Sequence, residues 1–216
     1  MNASRFRLAP SGLVTLPPAA PGMRIGLYGG SFNPAHAGHR HVSLLALRHL
    51  RLDRVWWIVT PGNPLKDTGE LASTAERVVE ARRLAAHPRI DVTAFEEAIG
   101  ARYTVDTLSY LVRRCPGVDF VWIMGADNLA GFHRWRGWER IASLMPIAVV
   151  DRPGYTLKAT RSRAATRLAP FRMGQDAAPA LAAMSPPAWI FLYGPRSTLS
   201  SSELRRKRRT SPANGR

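Results

Sequence analysis

Apolar positions in this chain fall in short continuous blocks that alternate with stretches of helical period. The blocks are Ile25–Tyr28, Val55–Val59, Ile90–Phe95, Phe120–Met124, Ile147–Val150 and Trp189–Tyr193. Most lack the polar alternation of a half-solvated strand, and so read as strands buried on both faces of a parallel sheet. Between them, apolar residues return at helical spacing from Val42 to Leu50. A second helix opens at Ser73 as N-cap with Glu76 three residues on, carries Val78, Val79 and Leu84, and ends at His87-Pro88. Another begins around Tyr103–Leu108, and a short one follows Trp135 and Trp138 and runs to Leu144. Helical and then Pro/Ala-rich sequence fills Thr156–Ala188, of which Ala169–Pro187 reads as a surface excursion. Strands alternating with helices predict an α/β fold, a doubly wound, Rossmann-like parallel sheet of about six strands with helices on both faces.

The length of 216 residues suits one folded domain. Residues 1–22 are expected to be a disordered N-terminal extension, 23–206 the folded domain and 207–216 a basic tail. The extension has no periodicity, contains Pro10, Pro17, Pro18 and Pro21, and lacks the continuous apolar core of a secretory signal; Met23 offers an alternative start. No run reaches the length of a bilayer span, so no membrane partner is expected. The single cysteine, Cys115, excludes a disulfide framework and suits a reducing cytoplasm. Net charge changes the picture more. At +16, with no acid before Asp53 and only Asp176 and Glu203 after Arg152, the chain attracts anionic ligands. The run Arg205–Arg209 allows non-specific contact with nucleic acid, but it has no interleaved aromatic platform and no groove-entering motif.

Candidate chemistry centres on Gly29-Gly30-Ser31-Phe32-Asn33-Pro34-Ala35-His36-Ala37-Gly38-His39, between the first strand and the first helix. Gly29 and Gly30 can take positive φ and carry no Cβ, so the backbone can pass close to a ligand and aim its N–H groups at it. The helix beginning near Gly38 adds the unpaired amides and partial positive charge of its N-terminus. His36, just before that helix, and His39, in its first turn, can point at the same ligand. There is no G-K-[ST], and no third glycine at the dinucleotide-binding spacing, so a different phosphate chemistry is indicated. Three more segments also follow predicted strands: Thr60–Lys66, Gly125-Ala126-Asp127 and Leu199–Arg205. One site at the carboxyl edge of the sheet collects them all. In it Lys66 is a point charge suited to phosphate, and Ser200-Ser201-Ser202 opens a helix with hydroxyls and free amides. Arg205 is capable of a bidentate phosphate contact.

The run G-G-S-F-N-P-x-H-x-G-H resembles the signature of the nucleotidyltransferase superfamily that shares its H-x-G-H turn with class I aminoacyl-tRNA synthetases. More narrowly, it is similar to that of bacterial nicotinate-nucleotide adenylyltransferases. Leu199–Arg205 resembles that family's I-S-S-T-x-I-R, with Leu199 for Ile and Ser202 for Thr, and Gly125-Ala126-Asp127 resembles its G-x-D. The resemblance covers Arg24 to Arg206. It implies adenylyl transfer from ATP to nicotinate mononucleotide, giving deamido-NAD and pyrophosphate, with Mg²⁺ on the triphosphate. Catalytic roles are implied for His36, His39 and Arg205, and contacts to ATP for Gly29, Gly30, Ser31, Phe32, Lys66, Asp127, Ser200, Ser201 and Ser202. A pyridine pocket is implied at Thr104, Trp135 and Arg136: Trp135 faces the ring, and the main-chain N–H groups of Thr104 and Arg136 meet its carboxylate. The remaining tryptophans are expected in the core, and Asp151–Gly154 is assigned no chemistry. Nicotinamide mononucleotide or phosphopantetheine as acceptor stays open, as does a basic nucleic-acid-binding protein from another class. A homo-oligomer is compatible with the sequence.

Overall fold

The structure, a computed structural model, describes residues 15–61 and 71–194. Among the described residues, seven strands form one sheet: β1 (Arg24–Gly30), β2 (Arg54–Val59), β3 (Ile90–Thr93), β4 (Asp119–Gly125), β5 (Ile147–Val150), β6 (Arg172–Met173) and β7 (Trp189–Leu192). Every neighbouring pair is parallel, in the order β3-β2-β1-β4-β5-β7-β6. The order reverses between β1 and β4, so the crevice at their carboxyl ends is the topological switch point, where open α/β sheets bind ligands.

Helices cover both faces: α1 (Ala37–His49), α2 (Thr74–Ala85), α3 (Phe95–Ala98), α4 (Thr104–Arg114), α5 (Ala126–Gly131), α6 (Trp138–Leu144), α7 (Thr156–Thr160) and α8 (Arg163–Arg167). Side chains along a strand alternate between faces. Trp57 therefore joins a core with Val42, Leu47, Val78 and Leu181, while its neighbour Trp56 joins the opposite core with Leu108, Leu129, Ile141 and Trp122. Both indoles are fully buried, worth about 1.5–3 kcal/mol or more apiece as apolar burial. The capping box at α2 forms as expected, with Glu76 N donating to Ser73 Oγ and Ser73 N to Glu76 Oε2.

The structure corrects three expectations. Ala169–Pro187 is not a surface excursion: β6 pairs with β7, and Ala178, Leu181 and Ala182 of the 3₁₀ segment Gln175–Ala183 are buried in the first core. That adds the seventh strand. The described part of the expected extension, from Thr15 to Gly22, lies against the domain. Thr93 Oγ1 donates to the Thr15 carbonyl at 2.9 Å, Gly22 N to Gly117 O at 2.7 Å, and Leu16 packs on the second core, so these residues shield the end of edge strand β3. Trp138 is only half-buried, set edge-on to Phe132. No helix among the described residues is long and apolar enough to cross a membrane.

Candidate active site

β1 ends at the switch point and delivers the chain into the Gly29–His39 turn. The glycines do not take positive φ there; Phe32 does, at 47°. Gly29 is required for a different reason. A Cβ on it would lie 2.6 Å from the ring of Trp122, whose indole is buried and cannot yield. Phe32 is held in its left-handed conformation by a ring that is itself core, stacked on Trp57 with centroids 5.0 Å apart.

His36 is the N-cap of α1, and His39 stands in its first turn. The two are tied reciprocally: His36 N–H donates to His39 Nδ1 at 3.1 Å, and His39 N–H to the His36 carbonyl at 2.9 Å. A ring nitrogen that accepts carries no proton, so neutral His39 bears its hydrogen on Nε2, as a donor. The rings lie 3.8 Å apart, and the two residues expose only 4% and 8% of their surface. Burial, reinforced by the charge of Arg152, lowers the pKa of His36 to about 4. Burial also holds His39 well below the usual histidine value, with His36 and Arg152 adding to the effect. Both imidazoles are neutral at pH 7, and His36 Nδ1 is buried without a hydrogen-bond partner among the described residues.

Across the crevice, the end of β4 presents Asp127 and the end of β5 presents Arg152. Arg152 Nε lies 3.3 Å from Asp127 Oδ1, and Arg152 Nη2 donates to Tyr28 OH at 3.3 Å. Gly125 makes room for this: a Cβ there would collide with Asp127 Oδ1 and lie 2.8 Å from Arg152 Nε. A second cluster lies at the start of α4. Arg136 stacks over Tyr103 with 4.5 Å to the ring centroid, and Gly137, at φ +64°, sets its Cα hydrogens against Val105. Trp135, half-buried, stands edge-on to Phe132 at 5.4 Å and Trp122 at 6.4 Å. Thr104, the first residue of α4, thus shares one surface with the Trp135-Arg136 turn.

A cytidylyltransferase-like family model matches residues 27–207. A probable nicotinate-nucleotide adenylyltransferase of Methylorubrum extorquens is 67% identical over 183 residues, covering 85% of this chain and 99% of that protein. Counterparts of the same name from Bradyrhizobium and Brucella suis are 56% and 54% identical, each over 85% of this chain and 95% of the relative. The chain belongs to the nicotinate-nucleotide adenylyltransferase family. The fold agrees: the nicotinic acid mononucleotide adenylyltransferase of Plasmodium falciparum, solved with NaAD, superposes with a TM-score of 0.66 over 85% of this chain and 83% of its own, at 16% identity.

For a member of this family, the structure brings His36, His39, Gly29, Gly30, Ser31, Phe32 and Asp127 to one crevice, and Thr104, Trp135 and Arg136 to a neighbouring surface. Lys66, Ser200, Ser201, Ser202 and Arg205 lie outside the described residues. Arg152 is a residue of the crevice that sequence reasoning missed. It follows a strand like every other candidate, which was the available signal, but its convergence with Asp127 and Tyr28 is a three-strand contact that no local motif displays.

Proposed function

We propose that the chain transfers the adenylyl group of MgATP to nicotinate mononucleotide at the β1/β4 crevice, forming deamido-NAD and pyrophosphate in NAD biosynthesis. The observation that carries this reading is the buried, neutral histidine pair at the start of α1, set beside a glycine turn. It is a donor array suited to phosphate, with the amides of the turn beside it. An oxygen of the mononucleotide phosphate forms a bond to the α-phosphorus of ATP, and the bond from that phosphorus to the bridging oxygen breaks. The pyrophosphate leaves with the electron pair. A phosphate monoester with a second pKa of about 6 is already largely dianionic at neutral pH, so the protein need not remove a proton. What remains is alignment and stabilisation of growing charge, which N–H donors supply.

In this scheme His39 Nε2–H and His36, with the turn amides from Gly29 to Phe32, meet the ATP phosphates. Asp127 accepts from ribose hydroxyls once it exchanges part of its pairing with Arg152, whose guanidinium stays available to phosphate. Lys66, Ser200–Ser202 and Arg205 are assigned to the same polyanion by their sequence motifs. Mg²⁺ enters as part of the substrate and neutralises triphosphate charge; the crevice contributes N–H donors rather than free carboxylates, a donor set that suits the phosphates. Trp135 covers the pyridine ring, and the amides of Thr104 and Arg136 take its carboxylate. Cys115, free and half-buried, is compatible with action in a reducing cytoplasm.

Pyrophosphate release with MgATP, comparing nicotinate mononucleotide, nicotinamide mononucleotide and phosphopantetheine as acceptors, tests this directly. A strong preference for nicotinate mononucleotide is expected. Trp135→Ala should raise KM for that acceptor about 10–100-fold through loss of one aromatic stacking contact, and leave KM for ATP within about threefold. Equal use of the carboxamide acceptor would contradict the assignment of the Thr104 and Arg136 amides.

A further inference from the structure

Arg77 lies in the first turns of α2 and is 2% exposed, among the largest buried side chains of the protein. Its neighbours on the inward face of α2 are Val78, Ala81 and Ala85, all apolar. A guanidinium at such a position needs a compensating arrangement, since burial of an unpaired charge is costly. The compensation comes largely from oxygen atoms of the backbone. Arg77 Nε donates to Ala72 O at 2.9 Å, Nη1 to Ser31 O and Thr60 O at 2.7 Å each, and Nη2 to Pro61 O at 3.3 Å and Thr74 Oγ1 at 3.1 Å. These bonds use all five N–H donors of the guanidinium, and none of them goes to a carboxylate.

The partners are not scattered. Ser31 belongs to the turn after β1, Thr60 and Pro61 to the exit of β2, and Ala72 and Thr74 to the entry of α2. One side chain therefore joins three segments at the carboxyl edge. A main-chain bond adds to this frame, from Thr60 N to Gly30 O at 3.0 Å. The consequence for the turn follows from peptide planarity. The Ser31 carbonyl and the Phe32 N–H share one plane and point in opposite directions. Holding the carbonyl toward α2 aims the Phe32 N–H away from it. The positive φ of Phe32, a conformation unfavourable for a residue with a Cβ, is kept in place by the same bond.

We propose that Arg77 is a positioning residue for ATP: by fixing the Ser31 carbonyl against the exit of β2, it sets the orientation of the turn amides that meet the phosphates. It touches no substrate itself. The proposal rests on the reading that this turn binds the phosphates of ATP.

The test uses the full chain with Arg77→Met, Arg77→Lys and Arg77→Ala, measuring Kd for MgATP by titration without acceptor, KM for each substrate, and the melting temperature. For Arg77→Met, Kd and KM for ATP are expected to rise about 10–100-fold, with KM for nicotinate mononucleotide within about threefold of wild type. Arg77→Lys keeps the charge but cannot span all five oxygens, so it should fall between the two and serves if Arg77→Met does not fold. Millimolar guanidinium should restore most of the ATP affinity lost in Arg77→Ala. A merely structural role predicts something else: lower kcat in proportion to the folded fraction, unchanged Kd for ATP, and no rescue. That pattern overturns the proposal. Wild-type turnover with nicotinate mononucleotide, measured alongside, separates this failure from failure of the functional assignment.

Discussion

His39→Ala is expected to lower kcat by about 10²–10³-fold while KM for either substrate moves only a fewfold, as when one donor to developing transition-state charge is removed. The reason lies in its tautomer. With Nδ1 occupied by the His36 N–H, the only proton of the neutral ring is on Nε2, fixed in direction by the start of α1. Alanine removes that donor and leaves the other contacts to ATP in place. His39→Asn, which keeps an N–H on a shorter stem, should recover about tenfold of the loss. Because His39 also packs against Phe32 at 4.7 Å, the melting temperature of each variant separates lost chemistry from lost packing. A near-normal kcat for His39→Ala would remove the histidine from catalysis.

Glu96→Gln is expected to stabilise the protein at alkaline pH by up to about 3 kcal/mol relative to its effect at pH 4. Glu96 closes the end of β3 in α3 and is buried, and Thr107 Oγ1 of α4 donates to its Oε1 at 2.5 Å. Burial pushes its pKa up to about 7, against the pull of the Thr107 hydrogen bond in the other direction. The folded state therefore holds this proton more tightly than the unfolded chain does. Its contribution to stability is fully present below the unfolded carboxylate value and is lost as pH rises through about 7. Glutamine keeps an acceptor for Thr107 and never ionises, so it removes that slope. The buried histidines act in the opposite sense: both pKa values are lowered by burial, so stability is lost as pH falls below the unfolded histidine value, for His36 toward about 4. The wild-type curve mixes the two trends, and only the difference between wild type and variant isolates Glu96. Denaturant unfolding from about pH 4 to 8 measures it; a pH-independent difference would show that the carboxyl is not perturbed.

The strands that were legible in the sequence are those whose apolar runs are long enough to have one interpretation. Val55–Val59 and Ile147–Val150 are buried on both faces and could hardly be anything but interior strands. β6 was not legible because it is two residues long, Arg172–Met173, too short for any alternation to register. The burial of Ala178, Leu181 and Ala182 was hidden by a 3₁₀ segment with Pro179 inside it, where neither the strand nor the α-helix period applies. In the crevice, the turn and its histidines could be read because they are contiguous. The left-handed residue was misplaced onto the glycines, since Phe32 takes it under constraints from Trp57 and Arg77, which lie far along the chain. Arg77 and Arg152 illustrate the general limit. Their roles come from oxygens and carboxylates gathered from several strands, and an arginine in isolation reads only as surface charge.

The most direct test of catalysis by alignment without a protein nucleophile is the configuration at the α-phosphorus. Turnover of ATP carrying a chiral α-thiophosphate, with nicotinate mononucleotide as acceptor, should give deamido-NAD thiophosphate with configuration inverted at that centre, as one in-line displacement requires. Retention would mean two displacements through an adenylylated side chain, and would contradict the direct transfer derived from the neutral histidines and the glycine turn.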